Sequence, residues 1–116
     1  MSTPSDQYNI QMAKYDHFKK AAPLIREAIR EKQGNYDVDW TSLCRLMLEA
    51  LKAADEADDL HDKLEDSDFV SDLRAGIASP EGFDKIKDMF EKFESLVEKM
   101  TSFTEAALEQ LDVALD

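Results

Sequence analysis

The chain has 116 residues, of which 43% are apolar, only three are glycine and three are proline, and its net charge is −12. That composition argues against disorder and predicts one folded, helix-rich domain, long enough to bury roughly two thirds of its unfolded surface. The acid excess disfavours direct contact with DNA, RNA or an anionic membrane, because phosphate recognition needs the opposite sign.

Thr3-Pro4-Ser5-Asp6 reads as a helix start: a hydroxyl able to cap, then proline at the first helical position, then acid in the first turn. Tyr8, Met12, Tyr15, Phe18, Ala22, Ile25 and Ile29 follow at steps of three and four, and this stripe predicts a helix over 4–33. Pro23 removes a backbone donor inside it. Because the stripe stays in phase across Pro23, one kinked helix is expected, stopped by Gly34-Asn35.

Asp37 or Asp39 can cap a second helix over 40–65, where Leu43, Leu46, Ala50, Ala53, Ala57, Leu60 and Leu64 keep the same spacing. Its first half is apolar nearly all the way round, with Cys44, Met47, Leu48 and Leu51 off the seam, which predicts enclosure by other helices. Its second half pairs a narrow alanine seam, suited to a close neighbour, with an acidic back. Asp66-Ser67-Asp68 breaks the pattern and can cap a short helix over 67–78, carrying Phe69, Val70, Leu73 and Ile77. Gly76 weakens that helix by about 1 kcal/mol relative to alanine.

Ser79-Pro80-Glu81 opens the longest helix, over 80–115. Phe83, Ile86, Phe90, Phe93, Val97, Met100, Thr104, Ala107, Leu111 and Ala114 form its seam, with only Thr104 breaking the apolar rule. Met89, Leu96 and Phe103 widen the seam along one edge. At 1.5 Å per residue the helix would run roughly 54 Å, more than a compact domain of this size requires. The expected fold is all-α: an antiparallel helical bundle of three long helices plus one short connector helix, with coiled-coil-like packing.

Charge is unevenly placed. Residues 1–36 have a net charge of +2 and residues 37–116 a net charge of −14. The densest block holds Asp55, Glu56, Asp58, Asp59, Asp62, Glu65, Asp66, Asp68 and Asp72 against one base, Lys63. On a helix Asp55, Asp59, Asp62 and Asp66 share a face, with Asp58 and Glu65 beside it. A solvated helix back is the plain alternative, yet such backs ordinarily mix signs, because like charges four residues apart repel by a few tenths of a kcal/mol. One carboxylate per three to four residues gives roughly one charge per 5 Å, a sparse imitation of a DNA strand with roughly one per 3.4 Å.

Other chemistry is poorly represented. After Lys99 no base follows, while Glu105, Glu109, Asp112 and Asp116 load a helix end whose dipole they oppose. The bases Lys14, Lys19, Lys20, Arg26, Arg30 and Lys32 of the first helix are their expected internal partners. Asp58, His61, Asp62 and Glu65 have ligand-like spacing, but a bundle di-metal centre needs a second Glu-x-x-His on a facing helix, so no metal and no cofactor is expected. Cys44, between Leu43 and Leu46, reads as an inert packing thiol. No phosphate loop, nucleophile elbow or HExxH is present, which predicts a non-enzyme. With no apolar h-region, no membrane-length apolar run and one cysteine, a cytoplasmic protein is expected.

The expected function is that of a small acidic interaction protein. Its working surface is the ridge of Asp55, Asp58, Asp59, Asp62, Glu65, Asp66, Asp68 and Asp72, and its partner is a basic protein surface. In size and charge the chain resembles the small acidic helical proteins with which phages block host defence or nucleic-acid enzymes. That resemblance implies an inhibitor occupying a nucleic-acid-binding groove by charge mimicry. The alternative is a structural adaptor or assembly chaperone that works through the apolar face of the last helix. If the distal half of that helix lacks an internal neighbour, Met100, Phe103, Ala107 and Leu111 should pair with a second copy as a homodimer.

Overall fold

A computed structural model describes residues 3–114 as helices α1 (Pro4–Glu31), α2 (Trp40–Glu65), α3 (Asp68–Arg74) and α4 (Pro80–Gln110), with no strand among the described residues. Each start is capped by the residue type its position favours. Thr3 and Asp6 form a reciprocal capping box at α1, with Asp6 N–H donating to Thr3 Oγ1 at 3.1 Å. Of the two candidate caps for α2, Asp39 takes the role, accepting from Ser42 N–H at 3.2 Å. Ser67 and Ser79 cap α3 and α4 through the amides of Val70 and Gly82.

The ends differ more from expectation. α1 continues unbroken through Pro23 and stops at Glu31. α3 ends at Arg74, short of residue 78, because Gly76 adopts φ +77° and closes a Schellman turn in which Ile77 N–H donates to Asp72 C=O at 2.8 Å. Ile77 therefore leaves the helix and lies 68% exposed. α4 likewise ends at Gln110, not at 115: Val113 N–H bonds Leu108 C=O at 3.1 Å, and Asp112 sits in the left-handed region at φ +52°. Lys32 Nζ donates to the Leu111 carbonyl, so a cation carried by α1 meets the negative end of α4.

The bundle measures 52 × 26 × 25 Å, its long axis matching α4 at roughly 1.5 Å per residue. α4 is the shared core element. α2 runs antiparallel to α4 and packs on it most extensively; α1 runs parallel to α4, and the α1 and α2 backbones barely approach. The alanine seam explains the first contact, since Ala50, Ala53, Ala54 and Ala57 are all buried and let two helix backbones come close. Aromatics hold the other side. Tyr8 packs on Phe69 and Phe90, Phe83 meets both phenylalanines edge-on at 5.3–5.4 Å, and Tyr15 lies 5.5 Å from Phe93. Thr104, the one polar seam residue, is fully buried and donates to Met100 C=O at 2.8 Å, so its hydroxyl is satisfied inside its own helix.

Two packing expectations are corrected. Met100, Phe103, Ala107 and Leu111 are buried within the chain, at 0–4% exposure, because α1 and α2 pack along α4 as far as its C-terminal end, where Lys32 and Asp39 bond to Leu111 and Gln110. A seam of those residues is not free for a second copy. The first half of α2, by contrast, is not enclosed: Leu48 is 59% and Leu51 48% exposed, and Cys44 is exposed instead of packed. Among the described residues there is no fourth long helix to cover them.

Asp112→Gly should raise stability by about 1 kcal/mol, since glycine relieves the left-handed strain and removes an acid from a helix C-terminus. Thermal and urea melts check this, and a lower midpoint would contradict the turn geometry. Phe93→Ala, at the centre of the core, should cost about 3–5 kcal/mol in the same assay.

Candidate functional site

The acidic ridge divides into an inward and an outward set. Asp58 and Glu65 turn toward the neighbouring helices. Asp58 accepts a hydrogen bond from the Tyr15 hydroxyl and pairs with Lys19 Nζ at 2.8 Å, tying α2 to α1. Glu65 pairs with Arg74 of α3 and lies 3.3 Å from His61 Nε2. The His61 ring stacks on Tyr15 with centroids 4.7 Å apart and planes 15° from parallel, and Phe93 lies beneath both rings. The histidine that sequence spacing offered as a possible ligand is thus a packing residue of the α1–α2 junction. Among the described residues no three ligating side chains converge on a point that could hold a metal ion.

These contacts tune the junction's titrating groups. Burial pushes the Asp58 carboxyl up, but the Lys19 ammonium and the Tyr15 hydroxyl together outweigh it and hold the group below the usual carboxylate range. Tyr15 is raised above the ordinary phenol value by burial first and by Asp58 next. Burial, with the Glu65 carboxylate nearby, pushes Tyr8 up to about 12. The buried Tyr8 hydroxyl has no aligned hydrogen-bond partner.

The outward set is differently placed. Asp55, Asp59, Asp66, Asp68 and Asp72 have no basic side chain within ion-pair distance among the described residues. Asp62, 86% exposed, is only 3.8 Å from His61 Nδ1. Asp55, Asp59, Asp62 and Asp66 follow one edge of α2, and Asp68 and Asp72 continue the charge onto α3. The first-helix bases expected to neutralise the end of α4 mostly lie elsewhere. Because α1 and α4 are parallel, only the last turn of α1 reaches that end, where Lys32 takes a carbonyl and not a carboxylate. No ion pair of Glu105, Glu109 or Asp112 occurs among the described residues, and Asp116 lies outside them.

Beside the ridge lies an apolar cleft that follows from the separation of α1 and α2. Ala22, Ile25 and Ile29 form one wall, Met47 and Leu51 the other, and Phe103 of α4 lies between them, enclosing about 260 Å³. An adjoining hollow of about 530 Å³ shares Phe18, Ala22, Arg26 and Leu51 with it and ends on Asp55 and Asp58. Among the described residues no helix is long and apolar enough to cross a membrane.

Two pH effects follow from the tyrosines and Asp58. The tyrosines hold their protons more tightly when folded, so their contribution is complete below about pH 10 and is lost as pH rises toward 12. Tyr8→Phe should flatten that alkaline loss and change the melting temperature at pH 7 by little, since the buried hydroxyl it removes has no well-aligned partner. Asp58 works in the opposite window: its contribution is complete above about pH 4 and is lost as pH falls through its lowered value. Melts across pH 2–12, with Tyr8→Phe and Asp58→Asn, test both signs; an alkaline limb unchanged in Tyr8→Phe would contradict the assignment. Comparisons with protein-family models, with curated proteins and with solved structures find no match to this chain.

Proposed function

We propose that this protein is a small, non-enzymatic interaction protein that binds a basic surface of a partner protein through Asp55, Asp59, Asp62, Asp66, Asp68 and Asp72. One observation carries the reading: Asp55, Asp59, Asp66, Asp68 and Asp72 lack a cation within ion-pair distance among the described residues. Asp62 has one histidine nitrogen beside it, His61 Nδ1 at 3.8 Å, and no lysine or arginine among the described residues. Mutual repulsion along such a row costs a few tenths of a kcal/mol per neighbouring pair, and a docked cationic surface would remove it.

Asp58 and Glu65 serve this surface indirectly. Their bonds to α1 and α3 hold α2 in place, so the outward carboxylates are presented from a rigid element and lose little freedom on binding. In its most pointed form the function is inhibition: the row lies in an arginine- and lysine-lined groove and displaces a nucleic acid by charge mimicry, as an anti-defence inhibitor would. The alternative of an adaptor working through the α4 seam has less support, because most of that seam is buried against α1 and α2.

The test is affinity capture from a lysate of the protein's own cells, read by mass spectrometry, with wild type and an Asp55→Lys, Asp59→Lys, Asp62→Lys variant. The wild type should retain a basic nucleic-acid-handling protein and the folded variant should lose it. Retention should also weaken at least tenfold between about 0.05 and 0.5 M salt, where the screening length shortens from over 10 Å to a few ångströms. Equal capture by both forms, or capture indifferent to salt, would remove the ridge as the working surface.

A further inference from the structure

The apolar cleft and the acidic row are one surface. From Cys44 to Asp66 the same flank of α2 changes from exposed apolar residues, Leu48 and Leu51, to exposed carboxylates, Asp55, Asp59 and Asp62. The change begins inside a continuous depression: the hollow that starts at Ala22 and Leu51 reaches Asp55 and the Lys19–Asp58 pair, and Leu48, Asp59 and Asp62 continue the same flank of α2 outside it. The opposite wall supplies Arg26, which lines both compartments and has no ion pair among the described residues.

We propose that this depression is the docking groove for an amphipathic helix of a partner protein, with an apolar stripe seated over Met47, Leu51 and Phe103 and basic residues along Asp55, Asp59 and Asp62. The inference rests on the ridge reading above and specifies the shape of the basic partner. The geometry fits a helix: α1 and α2 stand apart, their facing side chains leave a trough, and a guest helix would complete a four-helix arrangement around α4's partners. It would cover the half-exposed leucines, whose burial the apolar circumference of this segment already anticipates.

Charge selects the occupant. A second copy would bring another net charge of −12 to a trough whose open flank is carboxylate, whereas a lysine- or arginine-bearing helix answers both chemistries at once.

Three synthetic peptides of about 18 residues, five helical turns, test the proposal by titration calorimetry against the whole chain. One has leucines in a single helical stripe with lysines elsewhere, the second has the same composition scrambled, and the third replaces lysine by glutamate. The striped lysine peptide should bind at one per chain, and tightest. Its affinity should fall about tenfold per leucine removed in Leu48→Ser and Leu51→Ser, and at least tenfold in Asp55→Asn, Asp59→Asn, Asp62→Asn. The scrambled peptide should be insensitive to the leucine changes. Because Leu48 and Leu51 are half exposed, these variants should keep the wild-type melt.

Chemical-shift mapping on the unaltered protein provides a second reading, in which Ala22, Ile29 and Met47 should move on adding the striped peptide. Equal binding of both lysine peptides, lost only in the aspartate variant, would overturn the groove while leaving the ridge reading intact. Binding unaffected by the aspartate changes would overturn both. A sedimentation mass of two chains that reverts to one in the leucine variants would place a second copy in the groove and overturn the proposal.

Discussion

The close contact of α2 with α4 through Ala50, Ala53, Ala54 and Ala57 is the constraint on which the rest of the architecture depends. Interaxial distance follows side-chain size at the contact, and alanine is the smallest side chain that still favours a helix. α2 can therefore settle deeply on α4. α1 cannot do the same, because Tyr8, Tyr15, Phe18 and Ile25 stand between it and its neighbours. A three-helix bundle with one tight and one wide contact cannot close symmetrically, and the deficit appears as the trough between α1 and α2. A single asymmetry of residue volume thus accounts for the core, the central position of α4 and the open flank.

Across that open flank the helices are joined by polar contacts as well as apolar ones. Tyr15, Lys19, Asp58, His61, Glu65 and Arg74 form a belt linking α1, α2 and α3. Most of these groups are partly exposed, so each ion pair contributes modestly in free energy, and their joint role is to fix register. Stacking of His61 on Tyr15 over Phe93 adds a directional contact that apolar burial alone would not provide. The belt is also where the acidic block separates into two populations. Carboxylates at the inner edge of α2 are engaged by the fold, and those one helical step further round are not.

The sequence made most of the helical architecture legible, and for local reasons. Capping residues at Thr3, Asp39, Ser67 and Ser79 and unbroken three-four spacing located the helix starts, because both signals act within one or two turns. The helix ends were less legible. Gly76 reads equally as a weak helical residue or as a left-handed stop, and only the hydrogen bonds of Ile77 distinguish them. Asp112 gives little warning of a stop in the sequence; α4 ends at Gln110, Asp112 turns the chain in the left-handed region, and Lys32 reaches the Leu111 carbonyl from beyond α1. The candidate site was half legible. Periodicity placed the carboxylates on one face, but nothing near Asp58 in sequence marks it as engaged, since Tyr15 and Lys19 lie about 40 residues away, whereas Glu65 finds His61 and Arg74 close by in sequence.

The sequence by itself determined the helices, their apolar faces and the one-sided charge of α2, because each is set by residues within a few turns of one another. Tertiary structure decided what those faces meet. It buried the seam of Met100, Phe103, Ala107 and Leu111, exposed Leu48, Leu51 and Cys44, and divided the acidic block into structural and free carboxylates. Periodicity shows that a face is apolar or charged, but whether it is covered depends on how many helices the chain has and how closely their side chains let them approach.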